Sequence, residues 1–461
     1  MERRCTEGRE IKGPMLNLTG KEIEFAYDFL DKLESQPGIG ETPEIEFQPG
    51  AKVFICIPLD REQANLERLF QSWNNQELPD GMQLEIIILI NNKESASSEA
   101  VADNQECFDT LLRWCEEQKK PGIRFRLLDR FSKGKAIQDG TCFGTLRNLL
   151  AAPVVSNSAK TGKDALILTT DADCAPSANL AVELQKAFGQ LGKKMYGGVE
   201  LELKLADGMS DEDKYNLERI YLINDIHEML LDYLTTGRWE KPETMVGGNT
   251  FYTVSEFVQA RGYPNQKSEI GEDVQLNSRL YLNHPVDQPR YLDTASITSI
   301  ERLETRGLVG SDSGKMEDVK DRGYKLPYTT EVISKHAHLR RWLLESRSQG
   351  LPFVDGLAQL VNSDWVGQKQ KGLLKSKEKE FTVLKNDMDR YEHLFTFLLE
   401  QTYEEVEPRS IDEILKDTAR TIEKLLSKDK RFQTLKQKLS REQKRIVRVR
   451  IDKSSFSQIC R

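Results

Sequence analysis

Residues 165–176 read Ala165-Leu-Ile-Leu-Thr-Thr-Asp171-Ala172-Asp173-Cys174-Ala-Pro176. A short apolar run leads into two carboxylates one residue apart, and a proline then stops it. A run this short and this apolar predicts a strand covered on both faces, as in a parallel sheet. In an open α/β sheet the carboxyl ends of the strands form the ligand crevice, so Asp171 and Asp173 are expected at the working edge. Two carboxylates there can hold Mg²⁺ or Mn²⁺ through oxygen while substrate phosphates complete the shell. The pattern is weak by itself, because Asp-x-Asp recurs at Asp211/Asp213 and Asp387/Asp389 in polar helical context. Acids also commonly cap the helix that follows a strand.

Outward from this stretch, apolar runs alternate with amphipathic ones. Strands are expected at 53–57, 86–90, 123–128, 165–169 and 195–203, with further short runs at 245–254 and 290–299. Helices are expected around Leu66, Leu69, Phe70 and Trp73, near 95–119 and 134–151, after Ser177, and from Ser210 through Leu234. A leading helix at 19–35 starts at Thr19 with Glu22 at capping-box spacing, and a Pro/Gly-rich linker follows to Gly50. Strands alternating with helices predict an α/β fold with a mixed, mainly parallel sheet flanked by helices. Ser410 and Glu413 repeat the capping-box spacing before a stripe of Ile411, Ile414, Leu415, Ala419, Ile422 and Leu426, so the last third is expected to be a helical C-terminal appendage. The expected divisions are 1–50 (helix and linker), 51–300 (catalytic domain), 301–340 (connecting segment, a lid or a plain surface loop) and 341–461 (helical region with a basic tail).

Composition narrows the function. A formal charge of -8 offers no overall attraction for nucleic acid, and none is expected as a partner. Residues 428–453 hold eleven Lys or Arg against three acids. They read first as a solvated helix face, with peripheral contact to an anionic membrane as the alternative. Seven scattered cysteines without a Cys-x-x-Cys pair indicate neither a disulfide framework nor a zinc site and suit a reducing compartment. No stretch approaches the ~18 apolar residues of a membrane span, and the first residues lack a signal-peptide core. A soluble, cytoplasmic protein is expected.

Further along come Met245-Val-Gly247-Gly248-Asn249-Thr250-Phe251 and Ile270-Gly271-Glu272-Asp273. The glycine pair suggests close backbone approach to a ligand. The Glu-Asp pair stands at an expected helix start, where the helix dipole favours acids on structural grounds alone. In order, the chain thus carries a strand ending in Pro58, a second ending in Asn91-Asn92, a third ending in Asp171-Ala172-Asp173, then Gly247-Gly248-Asn249 and Glu272-Asp273. This ordered set, spanning about residues 51–300, resembles the family 2 glycosyltransferases of the GT-A fold.

The resemblance implies an inverting, Mn²⁺- or Mg²⁺-dependent transfer of a sugar from a nucleotide-diphosphate donor to a glycan, lipid or other hydroxyl acceptor. Pro58, Asn91, Asn92, Gly248 and Asn249 would line the donor, Asp173 and Asp171 would hold the metal, and Asp273 would act as general base with Glu272 towards the acceptor. Asn91 and Asn92 stand where the family usually has Asp, which leaves the nucleobase open. The family's basic segment before Asp-x-Asp has two counterparts here, Lys133-Gly134-Lys135 and Arg147-Asn148, making Lys135 and Arg147 alternative donor contacts. His338 precedes Arg341-Trp342 with the spacing of the Gln-x-x-Arg-Trp element of processive relatives, so His338 or His336 could lend a nitrogen to the metal.

Two rivals are weighed. A sugar nucleotidyltransferase needs a Gly-rich loop after the first strand, but Leu59-Asp60-Arg61-Glu62 follows Pro58; Gly-x-x-x-x-Gly-Lys-Ser/Thr and a dinucleotide fingerprint are absent too. A degenerate relative that binds nucleotide sugar, or serves as a scaffold for a partner through its helical C-terminal third, without turnover, is the non-enzymatic rival.

Overall fold

The computed structural model describes residues 16–204 (except 80, 119 and 192–194), 249–264, 272–283, 290–299, 325–326, 329–404 (except 385) and 409–428. It also describes 216, 223, 227, 230–231 and 233–235. Expectations for Gly247, Gly248, Asp211, Asp213, most of the 210–234 helix, the 301–324 segment and the basic tail lie outside these residues.

The strands are β1 (Val53–Leu59), β2 (Leu84–Asn91), β3 (Ile123–Arg130), β4 (Leu166–Thr170), β5 (Cys174–Pro176), β6 (Tyr196–Lys204), β7 (Asn249–Thr253) and β8 (Arg290–Ser299). They form one sheet in the order β3-β2-β1-β4-β7-β6-β8-β5. The pairs β3/β2, β2/β1, β1/β4 and β6/β8 are parallel; β7 is antiparallel to β4 and β6, and β5 to β8. The expected mixed, mainly parallel sheet is therefore what this chain builds. Strands β1, β2 and β4 are buried at every residue because helices cover both faces. Edge strand β3 instead alternates buried residues with Arg124, Arg126 and Arg130, charges that discourage pairing with another chain.

On one face Val53, Ile55 and Ile57 of β1 and Ile86 and Ile88 of β2 pack with α2 (Leu66–Asn74), α3 (Ser98–Glu117) and α5 (Leu180–Leu191). On the other, Phe54, Cys56, Ile87 and Leu89 meet α1 (Gly20–Glu34), α4 (Phe143–Thr161), α6 (Val254–Gln259) and α7 (Glu272–Asn283). The leading helix opens with the reciprocal Thr19/Glu22 capping box. Helix α4 departs from expectation. It begins at Phe143 instead of 134, because 131–142 form a loop, and it runs through Pro153 to Thr161. An internal proline costs a helix about 3 kcal/mol, but α4 is buried almost all round between sheet and outer helices, and that packing overrides propensity.

The Pro/Gly-rich linker is strapped to the sheet. Glu85 of β2, fully buried, accepts from the Gln48 backbone N–H at 2.6 Å and from Arg126 Nε at 3.0 Å. Arg126 and Arg130 donate onward to the carbonyls of Glu46 and Ile39.

The C-terminal helices are α8 (Thr330–Ser348), α9 (Phe353–Asn362), α10 (Gln368–Thr382), α11 (Asp387–Glu404) and α12 (Ile411–Lys428). Leu339, Trp342, Phe353, Leu360, Leu374, Phe381, Tyr391 and Phe395 give α8 to α11 a core of their own. The Ser410/Glu413 capping pattern forms as expected at the start of α12. Among the described residues no helix is long and apolar enough to cross a membrane.

Removing the acid of a buried ion pair strands its partner, at a cost of about 3–5 kcal/mol. Arg126 keeps some access to water, with 22% of its side chain exposed, so Glu85→Ala should lower unfolding free energy by about 3 kcal/mol, read from the urea midpoint.

Candidate functional site

Four parallel strands bring their carboxyl ends to one edge: β1 at Leu59, β2 at Asn91, β3 at Arg130 and β4 at Thr170. The β1/β4 ladder runs only from Val53/Leu166 to Cys56/Thr169, whereas β1/β2 continues to Leu59/Ile90. Its last pair lies two residues before Pro58 and one before the end of β4 at Thr170, and Asp171 follows β4 at that edge.

The centre of the edge is Arg147, on the second turn of α4 and 2% exposed. Its Nη2 donates to Asp171 Oδ1 at 3.1 Å, and its Nε lies 3.2 Å from Glu272 Oε1 in the first turn of α7. The guanidinium carbon sits 4.9 Å from the Phe143 ring centroid and 5.5 Å from that of Tyr263. Burial disfavours its charge, but Asp171, Tyr263, Glu272 and Asp273 all act on it and hold it protonated. The chain thus joins acids about a hundred positions apart through one buried cation. Burial, with help from Asp273 and Asp171, raises Glu272 to about 7 against the pull of Arg147.

Close approach makes this possible. A Cβ on Gly144 would lie 2.2 Å from the Pro264 carbonyl and 3.2 Å from Glu272 Cβ, so α4 meets the 261–264 segment and α7 only with glycine there. One turn on, Asn148 clasps Tyr263, accepting from its N–H at 2.8 Å and donating to its carbonyl at 2.9 Å.

The other expected residues fall as follows. Asp173 lies in the turn between β4 and β5, with Arg68 of α2 donating to its carbonyl at 2.6 Å. Asn249 opens β7 opposite Thr170, whose hydroxyl donates to its Oδ1 at 2.8 Å; among the described residues its buried Nδ2 has no partner. Asn91 and Asn92 are both buried at the end of β2. Asn92 Oδ1 accepts from Asn104 Nδ2 at 2.7 Å, while Asn91 Oδ1 and Asn92 Nδ2 are unpartnered among the described residues. Asp273 lies beside Glu272 in the first turn of α7.

Lys135 and His338 make contacts outside the Arg147 cluster. Lys135 pairs with Asp129 at 2.9 Å in the loop after β3, helping Ser132 and the Phe131 N–H hold that carboxyl at about 2 despite its partial burial. Of the two basic candidates, it is Arg147 that joins the acids. His338 stacks on Trp365 with centroids 5.6 Å apart, and His336 is buried beside Phe395. Among the described residues no three His, Cys, Asp or Glu side chains gather as a metal ligand set.

Two contributors went unread in the sequence. Asn104 of α3 is wholly buried; it donates to the Asn91 carbonyl at 3.0 Å and to Asp60 Oδ1 at 3.3 Å, and accepts from the Arg61 N–H at 2.8 Å. It ties the ends of β1 and β2 together. Arg68 is the other. An Asn on an otherwise buried helical stripe was the available signal for Asn104; Arg68 left none.

No protein-family profile and no curated protein matches the chain. Among solved structures it is similar to residues 1–349 of S. aureus TarS in complex with UDP: 12% identity, 77% of this chain and 91% of that one covered, TM-score 0.36. It is also similar to the mannosyltransferase PcManGT of Pyrobaculum calidifontis in complex with GDP-Man and Mn²⁺ (11%, 82% and 94%, TM-score 0.31). A third is glucosyl-3-phosphoglycerate synthase of Mycobacterium tuberculosis with Mn²⁺, UDP-glucose and glycerol 3-phosphate (14%, 66% and 82%, TM-score 0.32). Overlays this loose carry no argument about activity.

Because Glu272 titrates higher folded than its unfolded value of 4.5, its stabilising contribution is complete below that value and is lost as pH rises through about 7. Unfolding free energy should fall between pH 5 and 7 by up to about 3 kcal/mol. Glu272→Gln should flatten that slope in urea titrations run across the range.

Proposed function

We propose that this chain is an inverting glycosyltransferase that moves a sugar from a nucleotide diphosphate to an acceptor hydroxyl with the help of a divalent cation. The observation that carries the reading is the convergence of Asp171 with Glu272 and Asp273 on Arg147. A transferase needs donor-phosphate handling and proton acceptance close together, and Asp171, Glu272 and Asp273, three of the residues the family resemblance assigns to those tasks, lie around Arg147.

The acids suit a hard cation that takes only part of its shell from protein. Asp171 is one-third exposed, and Asp173 follows it in the turn after β4. Two carboxylates leave the remaining positions to phosphate oxygens and water, as is usual for Mg²⁺. When bound, such an ion stabilises charge developing on the leaving diphosphate. Asp171 and Asp173 would hold it. Asp273 would take the proton of the acceptor hydroxyl as its oxygen attacks the anomeric carbon from the face opposite the leaving group. Glu272, kept beside Arg147, would face the acceptor. The end of β2 would receive the base, where Asn91 Oδ1 and Asn92 Nδ2 offer an acceptor and a donor unused among the described residues.

One observation favours a second reading, a nucleotide-sugar-binding protein without turnover: the carboxylate of Asp171 is already engaged by Arg147. Titration calorimetry with nucleoside diphosphates and Mn²⁺, paired with a donor-hydrolysis assay, separates the two. Binding without sugar release would favour the second.

Asp273→Asn should leave donor affinity within a few fold and cut turnover at least ~100-fold, the scale of a lost general base. Asp173→Ala should abolish Mn²⁺-dependent donor binding. Undiminished turnover in the first variant would remove Asp273 from its role, and unaltered Mn²⁺ dependence in the second would place the cation elsewhere.

A further inference from the structure

The segment 261–264 carries Tyr263, whose ring lies against Arg147. Its backbone is held in a costly shape. Arg261 and Gly262 are consecutive left-handed residues, with φ of 63° and 67°. That conformation is free for glycine but disfavoured by about 1–2 kcal/mol for a residue such as arginine. Strain of this kind persists only where the surroundings over-determine the backbone. Here they do so from three sides. Asn148 of α4 clasps both backbone polar groups of Tyr263. Arg279 of α7 donates from Nη1 to the Gly262 carbonyl at 2.9 Å. Asp389 of α11 pairs with the Arg261 side chain.

Arg279 is itself held from the C-terminal helices: its Nε lies 2.5 Å from Glu392 Oε1. Asp389 and Glu392 stand three residues apart on α11 and so share one helical face. That face meets Arg261 and Arg279 together. Arg279 and Glu392 are less than 20% exposed, so water screens their attraction less than in a surface pair. Helix α11 is in turn fixed within the C-terminal core. Asp387 accepts from the Phe353 N–H at 3.0 Å, and Tyr391 donates to the carbonyls of Leu351 and Pro352. The Asp387/Asp389 pair, expected to be bland, thus supplies one anchor at each end of this connection.

We infer that Arg279 is a positioning residue through which the Asp389/Glu392 face of helix α11 fixes the 261–264 segment, and with it the placement of Tyr263 against Arg147. On this view the C-terminal helices are part of the site's scaffold. The brace stands on contacts independent of any activity; only its effect on turnover rests on the transferase reading.

The test uses the full chain and three forms: Arg279→Glu, Glu392→Arg, and the two combined. Backbone amide exchange should rise at least ~10-fold at Gly262 and Tyr263 in each single variant, while amides of β1 and β2 keep their protection. The combined form reinstates the ion pair with its charges exchanged. It returns the pairing to α11 but not the donor to the Gly262 carbonyl, so exchange should recover in part. Arg279→Lys, which keeps a charged donor, should recover more fully. The two single variants should also lower kcat for sugar transfer at least ~10-fold with a smaller change in donor KM, and Arg279→Lys should restore most of it. Unchanged exchange at Gly262 and Tyr263, or equal deprotection of β1 and β2, would overturn the brace. Raised exchange with undiminished kcat would overturn its positioning role. Were the parent chain to transfer no sugar, the function proposed above would fall and the exchange comparison would decide the brace by itself.

Discussion

A single guanidinium, that of Arg147, sets the terms for the rest of the edge. Taking an unpaired cation out of water costs several kcal/mol, so it persists in the interior only with matched anions. Asp171 arrives from the end of β4 and Glu272 from the start of α7, and neither is near the other in sequence. The cation therefore selects a fold in which those two ends coincide. The features around it follow from that need. Helix α4 must lie deep against the sheet, which its apolar surface allows despite Pro153. Gly144 must lack a side chain for α7 to come close. Tyr263 and Phe143 must offer ring faces, because an aromatic face is among the few apolar surfaces that attract a cation.

The neighbouring strand ends are held by equally local means. A proline in a central strand is ordinarily a defect, since it leaves a neighbouring carbonyl without a donor. Here Pro58 falls two residues past the last β1/β4 pair, so it interrupts no pair of that ladder. Asn104 ties β1 to β2: one buried amide bonds to the end of β2 and to both Asp60 and the Arg61 N–H just past β1.

Much of this was legible in the chain. Apolar runs of four to seven residues identify β1, β2 and β4, because a strand covered on both faces has few polar positions to alternate with. The capping boxes at Thr19 and Ser410 were equally plain, since their chemistry is confined to four residues. Helix α4 was misplaced because burial on all sides erases amphipathic period, and its proline reads as a stop. Arg147 and Lys135 could not be separated by sequence, both being basic residues ahead of Asp171. What separates them is a partner 125 positions downstream for Arg147 and, for Lys135, a carboxylate of β3 six residues upstream. His338 was attractive for its spacing from Arg341 and Trp342, but spacing along a helix fixes only which face a residue shares, and that face meets Trp365. The brace from α11 was invisible for the same reason: ion pairs between distant helices leave no local pattern.

The charge of the site bears on how Arg147 could work within it. Asp171, Glu272 and Asp273 all act on one cation, so the cluster carries more acid than base even while burial keeps Glu272 partly protonated near neutrality. A nucleoside diphosphate brings further negative charge to the same edge. On the transferase reading, Arg147 alone would not neutralise both, and Asp171 and Asp173 would hold a divalent ion that supplies the missing positive charge. The ion pair between Arg147 and Asp171 is compatible with that role, because Glu272 is a second anion beside the guanidinium and would keep it in place.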